Sequence, residues 1–337
     1  MYIAIDCGTT NMRCRLYGES PKPIDSTHRK TGVRNTAFDG TNTALKTNLR
    51  DCIRELLSKN DLRESDIEVI ISSGTLASDV GIYPVPHVLC PAGIAESAAG
   101  ARMTVMEEIS TIPILFIPGV KTLPSESETD EMQKILQWDS MSGEECEIYG
   151  ILKLMGLSGE LVITLPGSYD KTLEIDSNGR IVSMRTGMCG EFIAAMSEHP
   201  LLRHSLPQPV IRKILPQKLI QGFEFAKQYG VSPAMIKARL VRFLGEWEAD
   251  EAANFFVGAV LLDDVRMTVP LCADGRPLVL GGSEPLKTVF GILLRHCGVK
   301  NMIDVPLEMA TISSNMGARL VYEEFLKNKE KEETENN

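Results

Sequence analysis

The chain has 337 residues, of which 24% are charged and 43% apolar; 35 Lys plus Arg stand against 45 Asp plus Glu, for a net charge of −10. This composition excludes global disorder, and the acidic balance with no long basic run excludes general nucleic-acid binding. No apolar run approaches the ~18 residues of a membrane span, and the length suggests two domains of ~150 residues.

The N-terminus, MYIAIDCGTT, has no basic segment and no small-residue cleavage site, so no signal peptide is expected. Cys7, Cys14, Cys52, Cys90, Cys146, Cys189, Cys272 and Cys297 are scattered without a CxxC pair and read as reduced thiols of a cytoplasmic protein. His28, His87, His199, His204 and His296 show no zinc-ligand spacing.

The first predicted element is a buried strand over Tyr2 to Asp6. Turn residues Gly8, Thr9, Thr10 and Asn11 follow, then a returning strand over Met12 to Tyr17. A third strand is predicted near Ile24 to His28. Leu45, Leu49, Cys52, Ile53, Leu56 and Leu57 share one face of a helix over Ala44 to Leu57. Strands are predicted over Ile67 to Ile71 and Ile112 to Ile117, with a short helix over Ile94 to Ala101 between them. Acidic residues in Ser125 to Glu131 suit a helix entry, and a helix follows Ser142-Gly143 as far as Met155.

The opening pattern then recurs. Leu161 to Leu165 is a strand, Pro166-Gly167-Ser168 turns the chain, Tyr169 to Ile175 returns, and Arg180 to Arg185 makes a third strand. Helices dominate Gln208 to Asp263. A short strand over Leu278 to Leu280 ends in Gly281-Gly282-Ser283, a helix runs over Pro285 to His296, and the last helix runs over Thr311 to Leu326. The final KNKEKEETENN has no apolar residue to bury and is expected to fray. These patterns divide the chain into an N-terminal domain at 1–140, a C-terminal domain at 141–326 and a flexible charged tail at 327–337.

Four segments carry candidate chemistry. Asp6 ends a strand, where a carboxylate holds Mg²⁺ through water; Gly8 lets the backbone approach a phosphate, and Thr9, Thr10 and the turn amides supply donors. A plain β-turn uses the same residue types, but the second tip at Gly167-Ser168 favours a polyphosphate gripped from two sides of a cleft. Gly281-Gly282 at a strand end suits a flat adenine ring against bare backbone, or else Ser283 is simply a helix N-cap. It is not a GxGxxG fingerprint. In Ser142-Gly143-Glu144-Glu145, a carboxylate at a helix start suits a general base toward a hydroxyl, or else is simply an acidic residue favoured at an exposed helix N-terminus.

The order IDCGTTN, GEE, PGS, GG and a terminal NMGA resembles the sugar-kinase/Hsp70/actin superfamily. YIAIDCGTTNMR, SGTLASDVG, IPGV, SGEECEIYG, LPGSYDK, MRTGMCGEF and NMGARL resemble, more narrowly, the 2-dehydro-3-deoxygalactonokinases, over about residues 1–325. The resemblance implies an α/β fold of the two-domain actin-like ATPase (ribonuclease H-like) class, with duplicated mixed-sheet domains, an interdomain cleft and a final helix returning toward the N-terminal domain. It implies ATP-dependent phosphorylation of 2-dehydro-3-deoxy-D-galactonate at its 6-hydroxyl, with ATP and Mg²⁺. A small sugar acid is then the partner, and the protein is a monomer or homo-oligomer with no nucleic acid or membrane involved.

The same resemblance makes Asp6 the Mg²⁺ residue and Gly8, Thr9, Thr10 and Asn11 the first phosphate turn. Gly167 and Ser168 become the second turn, and Gly281, Gly282 and Ser283 the adenosine motif. Glu144 becomes the base, with Glu145 as the fallback. Ser78 and Asp79 fall in a sugar-contacting segment, and Arg13 and Lys171 are cations for the sugar carboxylate. The chain departs from the family on the substrate side. PGSYDKT replaces PGTHxKW, and Ser142 stands where an Arg usually precedes GEE. A kinase for another small sugar or sugar acid, or a regulatory ATPase of the same fold, is therefore the alternative.

Overall fold

The computed structural model of the chain describes residues 1–335. It divides into two compact units. One comprises Met1–Gly159, Asp176–Ser183 and the stretch from Pro306 onward; the other comprises Glu160–Ile175 and Met184–Val305.

The first unit is built on a sheet of six strands: β1 (Tyr2–Cys7), β2 (Met12–Tyr17), β3 (Asp25–Arg29), β4 (Val69–Gly74), β6 (Arg102–Met106) and β7 (Ser110–Phe116). Their order is β3-β2-β1-β4-β7-β6. β1 runs antiparallel to β2 and parallel to β4. Near-continuous burial makes β1 and β4 central, since strands covered on both faces cannot alternate apolar with polar residues. The helix Thr43–Lys59 buries the six apolar residues that its sequence period places on one face. A small separate sheet joins β5 (Val88–Leu89), β8 (Val120–Thr122) and β9 (Asp139–Met141).

The helix Glu144–Met155 packs on the last helix, Leu307–Glu335. A Cβ on Gly150 would overlap the Ser313 carbonyl, and one on Gly317 would overlap that of Cys146. The two backbones touch because both crossing residues are glycine. This contact groups residues 141–159 with the first unit, whereas the sequence reading set a boundary at 140/141. The charged tail does not fray where expected: the helix continues to Glu335, and Asn336 and Asn337 lie outside the described residues. Lys327 pairs with Glu324 at 3.0 Å and Lys329 Nζ lies over the Phe325 ring, which tie the tail to the helix before it.

A five-stranded sheet, all of it in the second unit except Ile181–Ser183, repeats the pattern with β10 (Leu161–Leu165), β11 (Lys171–Ile175), β12 (Ile181–Thr186), β13 (Leu278–Leu280) and β14 (Met302–Asp304), in the order β12-β11-β10-β13-β14. β10 is antiparallel to β11 and parallel to β13. Both sheets thus open with an antiparallel hairpin whose first strand then pairs in parallel with a later one. This is the duplicated mixed-sheet arrangement of the actin-like ATPase class. Helices Pro216–Tyr229 and Ala249–Val260 cross through Gly222 and Gly258, beside a core that includes Leu219, Phe223 and Phe256. Among the described residues, no helix is long and apolar enough to cross a membrane.

Candidate active site

In the first unit the carboxyl ends of β1 and β4 adjoin, with Cys7 opposite Gly74. Ligands of open α/β sheets gather at this edge. The Gly8 N–H donates to the Asn11 carbonyl at 2.9 Å, closing the turn. Behind it, the Arg34 N–H donates to the Thr9 carbonyl at 2.9 Å, and Gly32 leaves no room for a Cβ against Gly8 and Thr9. The turn is therefore held from behind while Thr9, Thr10 and Asn11 stay exposed.

Thr75 Oγ1 donates to the carbonyls of Cys7 at 2.8 Å and Gly8 at 3.3 Å. Gly74 has φ +89°, and a Cβ there would stand 2.6 Å from the Cys7 carbonyl oxygen. Gly143 has φ +116°, and its Cβ would stand 3.1 Å from Gly74 Cα. Cys7, Gly74 and Gly143 are thus layered backbone on backbone. That layering sets the start of the helix Glu144–Met155 against the strand ends that carry Asp6 and the first glycine turn.

The two predicted base candidates differ in placement. Glu145 is fully buried, and both its carboxylate oxygens accept the Gly143 N–H, at 2.9 and 2.8 Å. Glu144 is only partly buried at the helix start. The sequence reading did not single out Glu147, one turn further on. Its carboxyl is pushed up to about 7 by burial first, then by the negative charges of Glu144 and Asp6. Asp6, Glu144 and Glu147 therefore form one region of concentrated negative charge. The i, i+3 spacing from Glu144 was the available signal.

Asp6 Oδ2 lies 3.9 Å from Arg13 Nη1, and both side chains are about half exposed, at 45% and 56%. A solvent-reachable carboxylate at a strand end, beside a backbone with no Cβ at Gly8, fits a hydrated Mg²⁺. Ser78 Oγ donates to the Thr75 carbonyl at 2.7 Å, which ties the predicted sugar segment to the same edge. His87, also not singled out, lies 3.1 Å from Ser142 Oγ. A Cβ on Gly119 would stand 2.6 Å from both His87 Nε2 and Ser142 Oγ. Burial lowers the His87 pKa and the Lys121 charge adds to this, while Asp79 opposes it.

In the second unit, the turn Pro166-Gly167-Ser168 rests on the start of the helix Cys189–Glu198. The Glu191 N–H donates to the Ser168 carbonyl at 3.0 Å, and a Cβ on Gly190 would overlap the Gly167 carbonyl. Gly281 N–H donates to the Thr164 carbonyl at 2.9 Å. Gly282, at φ +79°, lies against Pro166, where a Cβ would come within 2.8 Å of the proline nitrogen. The two glycine motifs of this unit are therefore neighbours. Ser283 is exposed, and it is not the side-chain cap that one reading expected: the following helix begins at Leu286, after Pro285. Lys171 is buried, with Nζ donating to Thr186 Oγ1 at 2.6 Å.

The family model described as 2-keto-3-deoxy-galactonokinase matches residues 6–312. The chain is 26% identical over 265 residues to the 2-dehydro-3-deoxygalactonokinase of Escherichia coli K12, covering 77% of each chain. It superposes on a crystal structure of a "putative 2-dehydro-3-deoxygalactonokinase" from Sinorhizobium meliloti with a TM-score of 0.72 and 19% identity, covering 96% of each.

Proposed function

The chain belongs to the 2-keto-3-deoxy-galactonokinase family and is a carbohydrate kinase, and we propose that it transfers the γ-phosphoryl group of ATP to the 6-hydroxyl of 2-dehydro-3-deoxy-D-galactonate. The observation that supports this reading is the glycine layering of Cys7, Gly74 and Gly143, which sets the start of the helix Glu144–Met155 against the strand ends that carry Asp6 and the first glycine turn.

In the proposed reaction Glu144 accepts the proton of the substrate hydroxyl as that oxygen forms its bond to phosphorus and the bond to ADP breaks. Glu145 is a positioning residue, since its carboxylate is spent on the Gly143 N–H. The exposed donors at Thr9, Thr10 and Asn11, and those at Gly167 and Ser168, serve phosphate oxygens. The backbone at Gly281-Gly282 serves the adenosine. When bound, Mg²⁺ would neutralise phosphate charge, held through water by Asp6. Arg13, half exposed beside Asp6, is the cation proposed for the sugar carboxylate, and Ser78 and Asp79 are proposed to line the sugar side. Lys171 is placed differently: its burial suits a structural charge better than a substrate contact.

The test is a panel of sugar acids with coupled ADP detection, with and without Mg²⁺, and ³¹P NMR of the product. Mg²⁺-dependent ADP release with 2-dehydro-3-deoxy-D-galactonate and a 6-phosphate product is expected. Faster turnover of another sugar acid would move the substrate assignment, and ADP release independent of any sugar acid would remove the kinase reading.

A further inference from the structure

The second unit holds a group of side chains that the phosphoryl-transfer chemistry does not use. Asp170, Cys189 and Asp264 are all buried, and one ligand atom from each lies within 4.8 Å of the others. They come from three elements: the residue preceding β11, the first residue of the helix Cys189–Glu198, and the helix Leu262–Thr268.

Burying two carboxylates together is costly unless each finds a partner. Asp170 is only 1% exposed, and neither of its oxygens has a partner in good hydrogen-bond geometry, although the Cys189 thiol and backbone N–H lie close enough to act on it. The space it faces is kept open by Gly187. A Cβ there would overlap Oδ1 of Asp170 and Oδ1 of Asp264 together, so both carboxylates converge on one point. Asp264 is held in place through Thr268, whose Oγ1 donates to the Asp264 carbonyl at 3.0 Å and lies 2.9 Å from Thr172 Oγ1 on β11.

We propose that Asp170, Cys189 and Asp264 form a divalent-cation site with one thiolate and two carboxylate ligands, suited to Zn²⁺, that fixes the Gly167-Ser168 turn to the helices beneath it. Three atoms within 4.8 Å of one another have a common point no more than about 2.8 Å from each. Sub-ångström side-chain shifts then give the ~2.0–2.3 Å bonds of zinc, with a fourth position left for water. A thiolate among the ligands selects a borderline cation over Mg²⁺ or Ca²⁺. Binding forms three metal–ligand bonds and releases to solvent the Cys189 thiol proton and any proton held by the carboxyl pair. Three ligand charges against Zn²⁺ leave one negative charge, and the Lys171 ammonium acts electrostatically on Asp170 to offset it. This assigns the buried Lys171 a role that a surface substrate cation would not need.

The full-length protein, stripped with a chelator, is titrated with ZnCl2 by calorimetry and followed by thermal melting. One equivalent bound with a raised Tm is expected, and Asp170→Asn and Asp264→Asn should each weaken binding about tenfold or more. Co²⁺ loading should give a sulfur-to-cobalt charge-transfer band that Cys189→Ser abolishes. No uptake of Zn²⁺ by the stripped protein overturns the proposal. So does Zn²⁺ binding unchanged in all three variants, or Mg²⁺ competing equally with Zn²⁺. Should the variants fail to fold, the wild-type cobalt spectrum decides: a missing sulfur band overturns the site. None of these readouts depends on kinase activity.

Discussion

The backbone N–H of Gly143 points at the carboxylate of Glu145, which accepts it with both oxygens at 2.9 and 2.8 Å. A side chain two residues ahead thus holds the loop that precedes it, and leaves its neighbour Glu144 as the carboxylate at the helix start. The two glutamates should separate experimentally. Glu144→Gln is expected to lower turnover by roughly 10² to 10⁴ with little change in Tm. Glu145→Gln should destabilise the fold by about 1–3 kcal/mol through the weakened buried hydrogen bond, with a smaller loss of turnover. Steady-state kinetics and melting of both variants check this, and near-normal turnover of Glu144→Gln would contradict it.

Gly74 and Gly143 both have positive φ, and Gly74 meets the Cys7 carbonyl while Gly143 meets Gly74. Alanine at either position adds backbone strain and separates the layers that align Glu144 with Asp6. Each substitution should cost about 1–3 kcal/mol of stability. Turnover should fall more than the melting temperature alone explains, when assayed well below the melt. Unchanged kinetics in a folded Gly143→Ala protein would show that the layering does not position the base.

Gly282 occupies the space beside Pro166. Gly282→Ala has to push the second glycine turn aside, so KM for ATP should rise while KM for the sugar acid changes little. The measurement is a pair of saturation curves, one per substrate. A selective rise in the sugar-acid KM would reassign the Gly281-Gly282 segment.

The Glu147 carboxyl is raised from 4.5 to about 7 by burial, Glu144 and Asp6. In the unfolded chain it ionises near its ordinary value, so the unfolded state gives up its proton first. Stability therefore falls as pH rises from about 4.5 to about 7, by about 2–3 kcal/mol from this group. Glu147→Gln removes that slope. The variant should melt above the wild type at pH 8, with the gap closing by pH 4.5. A gap independent of pH, measured by denaturant titration at both values, would refute the assignment.

Local pattern sufficed for the hairpins. β2, β10 and β13 fall where alternation and apolar runs placed them, and the helix Thr43–Lys59 buries the six residues its period predicted. The glycine turns and the GEE helix start were equally legible, because tight turns and helix entries are written in neighbouring residues. The continuation of the last helix to Glu335 was missed: a burial argument does not count Glu–Lys pairs along an exposed face.

What sequence left open was every relationship between residues distant along the chain. Gly143 against Gly74, Gly282 against Pro166, and Gly317 against Cys146 each exclude a side chain that only the folded backbone would strike. Glu147 owes its raised pKa first to burial, then to Glu144 and to Asp6, 141 positions earlier, and Asp170, Cys189 and Asp264 share no spacing that a motif search reads. Turn chemistry and periodicity are short-range and survive in one dimension. Burial, field and close approach depend on distances that exist only after the chain has packed.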